Sequence, residues 1–362
     1  MNIVYIAETS LTNKSAYTVH VLKMCDALSK KNNLTLLLPK NEVGYKTLKK
    51  EFLFTSKNKF KIKSITNFKI KNFFLRLYFS YKTSKQLRNN QQDLILTRSF
   101  LTSFFMSIWK INHILEIHSE FRGLTKILMI NLNFINSIYI KRIIFISNAL
   151  RKKFYFVKKR KTVILHDAVD IKNFLQFKHK NNKKIENLTY VGSFHEGKGV
   201  EMICKLAPRF KKLKFNVFGH PINKNYPKIS NLKFHGYIKY KEVPKKLASS
   251  DILLLPSSKI QYGRSKSVNI SNYNSPLKMF DYLAAGKIII SSKLKGICEV
   301  LKHNYNSIIT NGFEVYDWEN SINLILNNKY DLNYIRANSL KTARKYTWEK
   351  RAQKIISLKN SY

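Results

Sequence analysis

Short apolar runs alternate along the chain with stretches that have helical apolar spacing. Residues 17–30 place Val21, Met24 and Leu28 on one side of a helix, and residues 100–109 predict a second helix. The end of the chain, residues 332–362, has the spacing of amphipathic helices. The runs that predict strands are 3–7, 34–38, 93–97, 113–117, 143–147 and 163–165, and then 188–191, 215–218, 232–235, 252–255 and 288–291.

Strands that alternate with helices indicate parallel sheets covered by helices. A chain of 362 residues is long enough for two such α/β domains, and the polar, lysine-rich residues 178–187 separate the two series. We therefore predict an N-terminal domain over residues 1–177, a second domain over 178–345, and a C-terminal helix over 346–362 that packs back on the first domain. In such sheets ligands bind beyond the carboxyl ends of the strands.

The most apolar region of the chain, residues 127–150, is interrupted by Asn131, Asn133 and Lys141. These polar residues argue against a membrane span and favour a buried helix followed by a buried strand. The first residues lack the basic start and cleavage site of a signal peptide. Three cysteines without paired spacing support neither a disulfide framework nor a zinc cluster. A cytoplasmic protein is the expectation.

A formal charge of +45 is the most unusual property of the composition. Such a field attracts anionic lipid, nucleic acid or phosphorylated substrates. The chain is also rich in Lys, Asn and Ile, a bias expected from an AT-rich genome. Both explanations remain open, and the charge alone identifies no function.

The segment 274–286 carries the strongest local signal. Ser275 suits an N-cap, Pro276 the first helical position, and Gly286 the residue after the helix. Lys278 then lies in the first turn, where the helix dipole disfavours a cation unless an anion binds at the helix start. Asp281, three residues further on, is placed to hold a ribose. The alternative is a surface helix with a Lys278–Asp281 pair.

Five motifs of the second half resemble family 4 glycosyltransferases of the GT-B fold in order and spacing. They are Tyr190-Val191-Gly192-Ser193-Phe194-His195-Glu196-Gly197-Lys198-Gly199-Val200, Phe218-Gly219, Phe234-His235-Gly236-Tyr237, Ser250-Asp251-Ile252-Leu253-Leu254-Leu255-Pro256, and the segment 275–286. In the first half, 147–150 and 169–174 agree more loosely. The resemblance implies two Rossmann-like domains that face each other across a cleft, and a retaining transfer of sugar from a nucleoside diphosphate donor.

The resemblance also implies roles for particular residues in the donor site. Lys198, after a glycine-containing turn, maps to the lysine that binds the donor diphosphate, whereas Ser193 replaces the arginine often found near this motif. Diphosphate binding then depends more on Lys198 and the helix that starts near Ser275. Asp281 maps to the second of two family glutamates, and Tyr273 replaces the first. Tyr237 and Ile238 are expected near the base. The other residues expected at the donor are Gly192 in the motif 190–200, Arg264, and Pro276, Leu277 and Lys278 of the helix start.

On the acceptor side, Glu116 and His118 lie at the end of a predicted strand, and alternation sends both side chains to the same side. His118 resembles the active-site histidine of the family. Arg98, at another strand end, and Ser15, in the loop after the first strand, are further acceptor-side candidates. For His20 we favour packing of its helix.

Other chemistries lack their sequence signals. Neither metal-ligand spacing nor an Asp-x-Asp pair occurs, so we expect no metal and no cofactor beyond the nucleotide sugar. Walker, Gly-x-Ser-x-Gly and dinucleotide fingerprints are missing, and no nucleic-acid-binding motif is evident. The expected acceptor is a glycan or lipid-linked saccharide in surface polysaccharide synthesis, with peripheral contact to the anionic inner membrane face. The alternatives are a sugar-nucleotide epimerase of similar fold and a basic nucleic-acid-binding protein.

Overall fold

The computed structural model describes residues 1–12, 15–89, 91–177, 184–220, 226–262 and 268–361. The chain forms two compact units. The first comprises Met1–His166 together with the C-terminal segment from Trp348, and the second comprises Asp167–Thr347. The first unit thus ends at His166 rather than at residue 177. The reason is local: the Val169 N–H donates to the Tyr346 carbonyl at 3.0 Å, which fastens the following residues to the second unit.

The first unit is built on a parallel sheet whose strand order is β3-β2-β1-β4-β5-β6-β7. The predicted strands are present, and one edge strand, Lys61–Ser64, escaped prediction because its alternating lysines give it no apolar run. Its strands are β1 (Asn2–Ile6), β2 (Asn33–Leu38), β3 (Lys61–Ser64), β4 (Leu94–Thr97), β5 (His113–Ile117), β6 (Ile140–Phe145) and β7 (Thr162–Ile164). Its helices are α1 (Ala16–Ser29), α2 (Tyr45–Glu51), α3 (Phe73–Arg88), α4 (Phe100–Ile108), α5 (Gly123–Lys126) and α6 (Asn148–Lys152).

The second unit has a parallel sheet of order β10-β9-β8-β11-β12-β13. Alternate residues of β11 enter two separate cores, Ile252 and Leu254 on one face and Leu253 and Leu255 on the other. Its strands are β8 (Asn187–Val191), β9 (Lys214–Phe218), β10 (Leu232–Gly236), β11 (Ile252–Leu255), β12 (Ile288–Ser291) and β13 (Ile308–Ile309). Its helices are α7 (Lys172–Leu175), α8 (Val200–Leu206), α9 (Val243–Ala248), α10 (Leu277–Ala284), α11 (Lys295–Cys298), α12 (Val315–Leu326) and α13 (Leu332–Ala343).

The last helix, α14 (Trp348–Ser357), packs against α1 in the first unit. Its buried residues Trp348, Arg351, Ala352 and Ile355 form one stripe with helical spacing. An arginine therefore lies on the face that enters the core of the first unit.

The apolar region 127–150 differs from its prediction. Strand β6 is buried as expected, but the preceding residues form α5 and a π-helix, Ile127–Asn131, with exposed apolar side chains. Ile127 and Leu132 expose 44% and 58% of their surface. The expected buried helix is thus wrong for this segment. Within the described residues, no helix is both long enough and apolar enough to cross a membrane.

Candidate active site

The loops that follow β8 and β11 meet where the strand order of the second sheet reverses, the position at which such sheets bind ligands. Gly197 and Gly199 both have positive φ angles, 79° and 81°. A Cβ on Gly199 would lie 1.6 Å from the Pro256 carbonyl oxygen, and one on Gly197 would lie 2.3 Å from that of Ile260. Only glycine permits such close contact with a backbone carbonyl at these two positions. Lys198 is therefore fixed between two residues that both pack on the loop after β11.

A second close approach joins the loops after β8 and β9. A Cβ on Gly219 would lie 1.7 Å from the Gly192 carbonyl oxygen, and the Gly192 N–H donates to the Phe218 carbonyl at 2.9 Å. A Cβ on Gly192 would in turn lie 2.7 Å from Nζ of Lys278. Because residue 192 has no side chain, the ammonium group of Lys278 can lie at the carboxyl end of β8.

Lys278 is the most unusual cation of this site. Its Nζ is buried and has no hydrogen-bond partner in the described part of the chain. It lies 3.8 Å from the centroid of the Tyr190 ring, whose hydroxyl donates to the Ser193 carbonyl at 2.7 Å. Burial, and then the charge of Lys198, hold the pKa of Lys278 well below its usual value. A buried ammonium against an aromatic face lacks the anion that would stabilise it.

The start of α10 is likewise incomplete. The helix begins at Leu277, Pro276 occupies the N-cap position, and no side chain caps the helix. The expectation that Ser275 is the N-cap is wrong: its hydroxyl is buried and has no partner among the described residues. Gly286, with a φ of 59°, follows the helix as expected. Uncapped N–H groups beside a buried ammonium have the chemistry of an anion site.

Lys198 adds a second positive charge to this site. Burial lowers the pKa of Lys198 to about 8, and Lys198 in turn lowers that of Lys278. Neither lysine pairs with a carboxylate of the described residues. Two desolvated cations that repel each other disfavour the ligand-free state, and a diphosphate would relieve both effects.

The remaining donor-side candidates differ in their accessibility. Asp281 is 8% exposed and accepts a hydrogen bond from the Tyr240 hydroxyl at 3.3 Å, so it does not pair with Lys278. Tyr273 is buried, with 1% exposed. The Tyr237 ring lies 5.3 Å from that of His220, and Ile238 packs on the core below α10. Arg264 lies outside the described residues.

In the first unit, a buried carboxylate connects elements that are distant in sequence. The side chain of Glu116 has no exposed surface, and its Oε1 accepts from Nε2 of His118 at 2.6 Å and from Nη2 of Arg351 at 2.7 Å. Nε2 of His20 lies 3.0 Å from the same atom. Burial opposes ionisation, but the positive charge of Arg351, together with the contacts from His20 and His118, outweighs it and holds the pKa of Glu116 well below its usual value. Because its side chain has no exposed surface, Glu116 can influence a ligand through its partly exposed neighbour His118.

The ionised Glu116 fixes the tautomer of His118. Burial, and then the charge of Arg98, lower the pKa of His118 to about 3, so the imidazole is neutral near pH 7. An ionised carboxylate can only accept, and Nε2 must therefore carry the proton. Nδ1 is left as a hydrogen-bond acceptor on a side chain that is 20% exposed. Such an atom can accept a hydrogen bond from a ligand hydroxyl.

His20, Glu116 and His118 offer three possible metal-ligand atoms within 4.8 Å of one another. The guanidinium of Arg351 lies 2.7 Å from the Glu116 oxygen that both imidazoles face. A cation would therefore meet a fixed positive charge at its carboxylate ligand, and we assign no metal to this cluster.

The other acceptor-side candidates have structural partners. The Arg98 guanidinium lies 4.1 Å from the Tyr17 ring, and Ser15 caps α1 by accepting from the Thr18 N–H at 3.3 Å. Arg351 was not predicted as a functional residue from the sequence. Its position among the apolar residues of one face of α14 could have indicated a buried, paired arginine. The contact of His20 with Glu116 was also not predicted, and no spacing in the sequence reveals it.

The chain has two parallel sheets with helices, which is the architecture of GT-B glycosyltransferases. The cationic site lies where the strand order of the second sheet reverses. Residues 171–342 match the family model described as glycosyl transferases group 1. Residues 171–342 therefore resemble this family, and the resemblance inferred from the sequence is confirmed.

Three known proteins resemble the chain over different extents. The structure of HepE from Anabaena, in complex with UDP and glucose, is 15% identical, covers 99% of both chains and has a TM-score of 0.72. The lipopolysaccharide outer core galactosyltransferase WaaB is 14% identical, covers 99% of both chains and has a TM-score of 0.70. An uncharacterized 41.2 kDa protein in the cps region of Klebsiella pneumoniae is 24% identical over 152 residues. That match spans 39% of this chain and 42% of the relative's length.

Proposed function

We propose that the protein transfers a sugar from a nucleoside diphosphate donor to a hydroxyl group of a glycan or lipid-linked saccharide, with retention of anomeric configuration. The observation that carries this proposal is the unpartnered, buried ammonium of Lys278 at the uncapped start of α10. Lys198 supplies a second charge. A diphosphate has the charge and the acceptor oxygens that these groups lack.

In the proposed reaction, the bond between the anomeric carbon and the diphosphate oxygen breaks. The acceptor hydroxyl forms the new bond on the same face of the sugar, and its proton passes to the departing diphosphate. Negative charge develops on the leaving group, so Lys198, Lys278 and the N–H groups of α10 stabilise the transition state more than the ground state. No metal or cofactor is required by this arrangement.

Roles for the other groups follow from their chemistry. Asp281 is proposed to hold ribose hydroxyls and His118 to accept a hydrogen bond from a sugar hydroxyl. The HepE complex with UDP and glucose and the polysaccharide setting of the Klebsiella relative support a sugar nucleotide and a surface glycan. A lipid-linked acceptor would place the enzyme at the inner face of the cytoplasmic membrane.

A thermal-shift screen with nucleoside diphosphates, beginning with UDP, tests the proposed donor. A ligand present at about 100 times its Kd stabilises the folded state by about 2.7 kcal/mol. Incubation of the corresponding sugar nucleotides with saccharide acceptors then tests transfer. Stabilisation by an oligonucleotide alone would refute the proposal, as would release of a free epimerised sugar without an acceptor.

Nucleoside diphosphate affinity is expected to fall as the pH rises through about 8. Both site lysines must be charged to bind the anion, and the pKa of Lys198 in the free protein is about 8. Above that pH, binding takes up protons and becomes weaker. The stability of the free protein should change in the opposite direction and rise with pH from about 8 toward the usual lysine value of about 10.4, because the unfolded chain binds more protons.

Calorimetric titration of the protein with UDP in buffers of different ionisation enthalpy measures this proton uptake directly. Lys198→Arg, which keeps its charge at every accessible pH, should flatten the part of the dependence that Lys198 contributes. An affinity that stays constant from about pH 7 to pH 9 would contradict the expected role of the lysines.

A further inference from the structure

One side of the first unit carries exposed apolar side chains in a strongly basic setting. Residues 121–161 contain eleven Lys or Arg and no Asp or Glu. We define the basic apolar face by the exposed members of two segments, 122–138 and 152–160. The apolar members are Leu124, Ile127, Leu132, Ile138 and Tyr155, and the basic members are Lys126, Lys152, Lys153, Lys158, Lys159 and Arg160.

The two segments are fastened to each other at two places. At one, Nζ of Lys153 donates to Glu120 at 2.8 Å, and the rings of Phe121 and Phe154 lie 5.1 Å apart. At the other, Nζ of Lys161 donates to the Asn136 carbonyl at 3.0 Å. The exposed side chains therefore lie on adjoining, fixed parts of the surface at the β7 end of the sheet.

The apolar side chains of this face are not needed for the core of the unit. Met129 and Ile135 already bury the inner side of the first segment, with 1% and 0% exposed. Ile138 and Tyr155, in contrast, expose 70% and 86% of their surface. Exposed apolar side chains that lie on adjoining segments are typical of an interaction site.

The basic side chains of the face crowd one another. Burial, and then the charges of Lys158, Arg160, Lys141 and Arg142, lower the pKa of Lys161 to about 8. Neighbouring positive charges that help to lower the pKa of a lysine favour an anionic partner. Nucleic acid would satisfy this charge without using Ile138 or Leu132, whereas a bilayer with anionic headgroups satisfies both the charge and the apolar side chains.

We propose that the basic apolar face docks on an anionic lipid bilayer, with Ile138 and Tyr155 entering the boundary between headgroups and acyl chains while the lysines contact the headgroups. This inference rests on the proposed function only in that a lipid-linked acceptor requires a membrane surface. The residues of the face belong to the first unit and the diphosphate site to the second, so the two can be tested separately.

Flotation of the full-length protein with vesicles tests the proposal. Binding is expected to phosphatidylcholine vesicles that contain phosphatidylglycerol, to weaken with salt, and to be lost with phosphatidylcholine alone. Lys158→Gln combined with Lys159→Gln and Arg160→Gln should weaken binding by about tenfold or more. Ile138→Ser combined with Tyr155→Ser should weaken it by about tenfold without changing the charge.

Matched controls come from exposed residues of the second unit. The triple change Lys205→Gln, Lys211→Gln and Lys212→Gln removes the same charge, and Tyr316→Ser with Tyr334→Ser removes similar apolar surface. Both controls should bind vesicles like the unchanged protein. Equal losses in controls and face variants, no binding of the unchanged protein, or preferential binding of an oligonucleotide through the same face would overturn the proposal.

The nucleotide thermal shift separates this inference from the proposed function. All four variants should keep the UDP-induced shift of the unchanged protein, because none alters Lys198 or Lys278. Vesicle binding without any nucleotide response would leave the face established and refute the sugar-nucleotide donor. A nucleotide response without vesicle binding would refute the face and leave the donor site intact.

Discussion

Lys278→Met is expected to stabilise the free protein and, at the same time, to remove most nucleoside diphosphate binding. Methionine keeps the unbranched stem beside Tyr190 and lacks the buried ammonium, which has no hydrogen-bond partner among the described residues. Relief of this desolvated charge should raise the free energy of unfolding by about 1 kcal/mol. Loss of a charge that stabilises the leaving group should lower kcat/KM by about 100-fold to 1000-fold.

The opposite signs of the two effects separate a binding role from a structural one. A lysine that served only to stabilise the fold would lower the free energy of unfolding when replaced. Chemical denaturation of the free protein and thermal shift with UDP measure both quantities on the same sample. Lys245→Met, an exposed lysine of α9, is the matched control and should change neither. A Lys278→Met variant that is less stable and still binds UDP would contradict the assignment of the site.

Arg351→Met is expected to destabilise the first unit by about 3–5 kcal/mol, because it leaves the buried charge of Glu116 without its guanidinium partner. Arg351 also donates to the His166 carbonyl at 3.0 Å, so the change removes a hydrogen bond from this second acceptor. Lys354→Met, on the exposed side of the same helix, should have little effect. Urea denaturation of the variants measures the difference.

A second readout tests the link from Arg351 to His118. Removal of the positive charge lets Glu116 act more strongly on the imidazole, so the pKa of His118 should rise from about 3. A histidine titration by NMR follows this change. Glu116→Gln in the Arg351→Met background should recover part of the lost stability, because the uncompensated charge is then absent. A double variant as unstable as the sum of the single ones would show that the two side chains act independently.

Much of the fold was predictable from local pattern. The strand runs 113–117, 252–255 and 288–291 coincide with β5, β11 and β12, because buried parallel strands are predominantly apolar. The edge strand β3 was not predicted, because its exposed lysines interrupt the apolar run that identifies a buried strand. The end of α10 at Gly286 was predictable from glycine alone, whereas its start was not, since Ser275 turned away from the helix N–H groups.

The sequence by itself determined the alternating architecture, the order of the glycosyltransferase motifs and the charge of the chain, because each depends on neighbouring residues or on composition. Only the tertiary structure decided which charges have partners. It brings Arg351 to Glu116 across 235 positions of sequence, and it places Lys278 on Tyr190 instead of beside Asp281. It also leaves Ile138 exposed in a region whose composition suggested burial. Pairing and exposure depend on which segments the packed sheets bring together, and no local spacing records that.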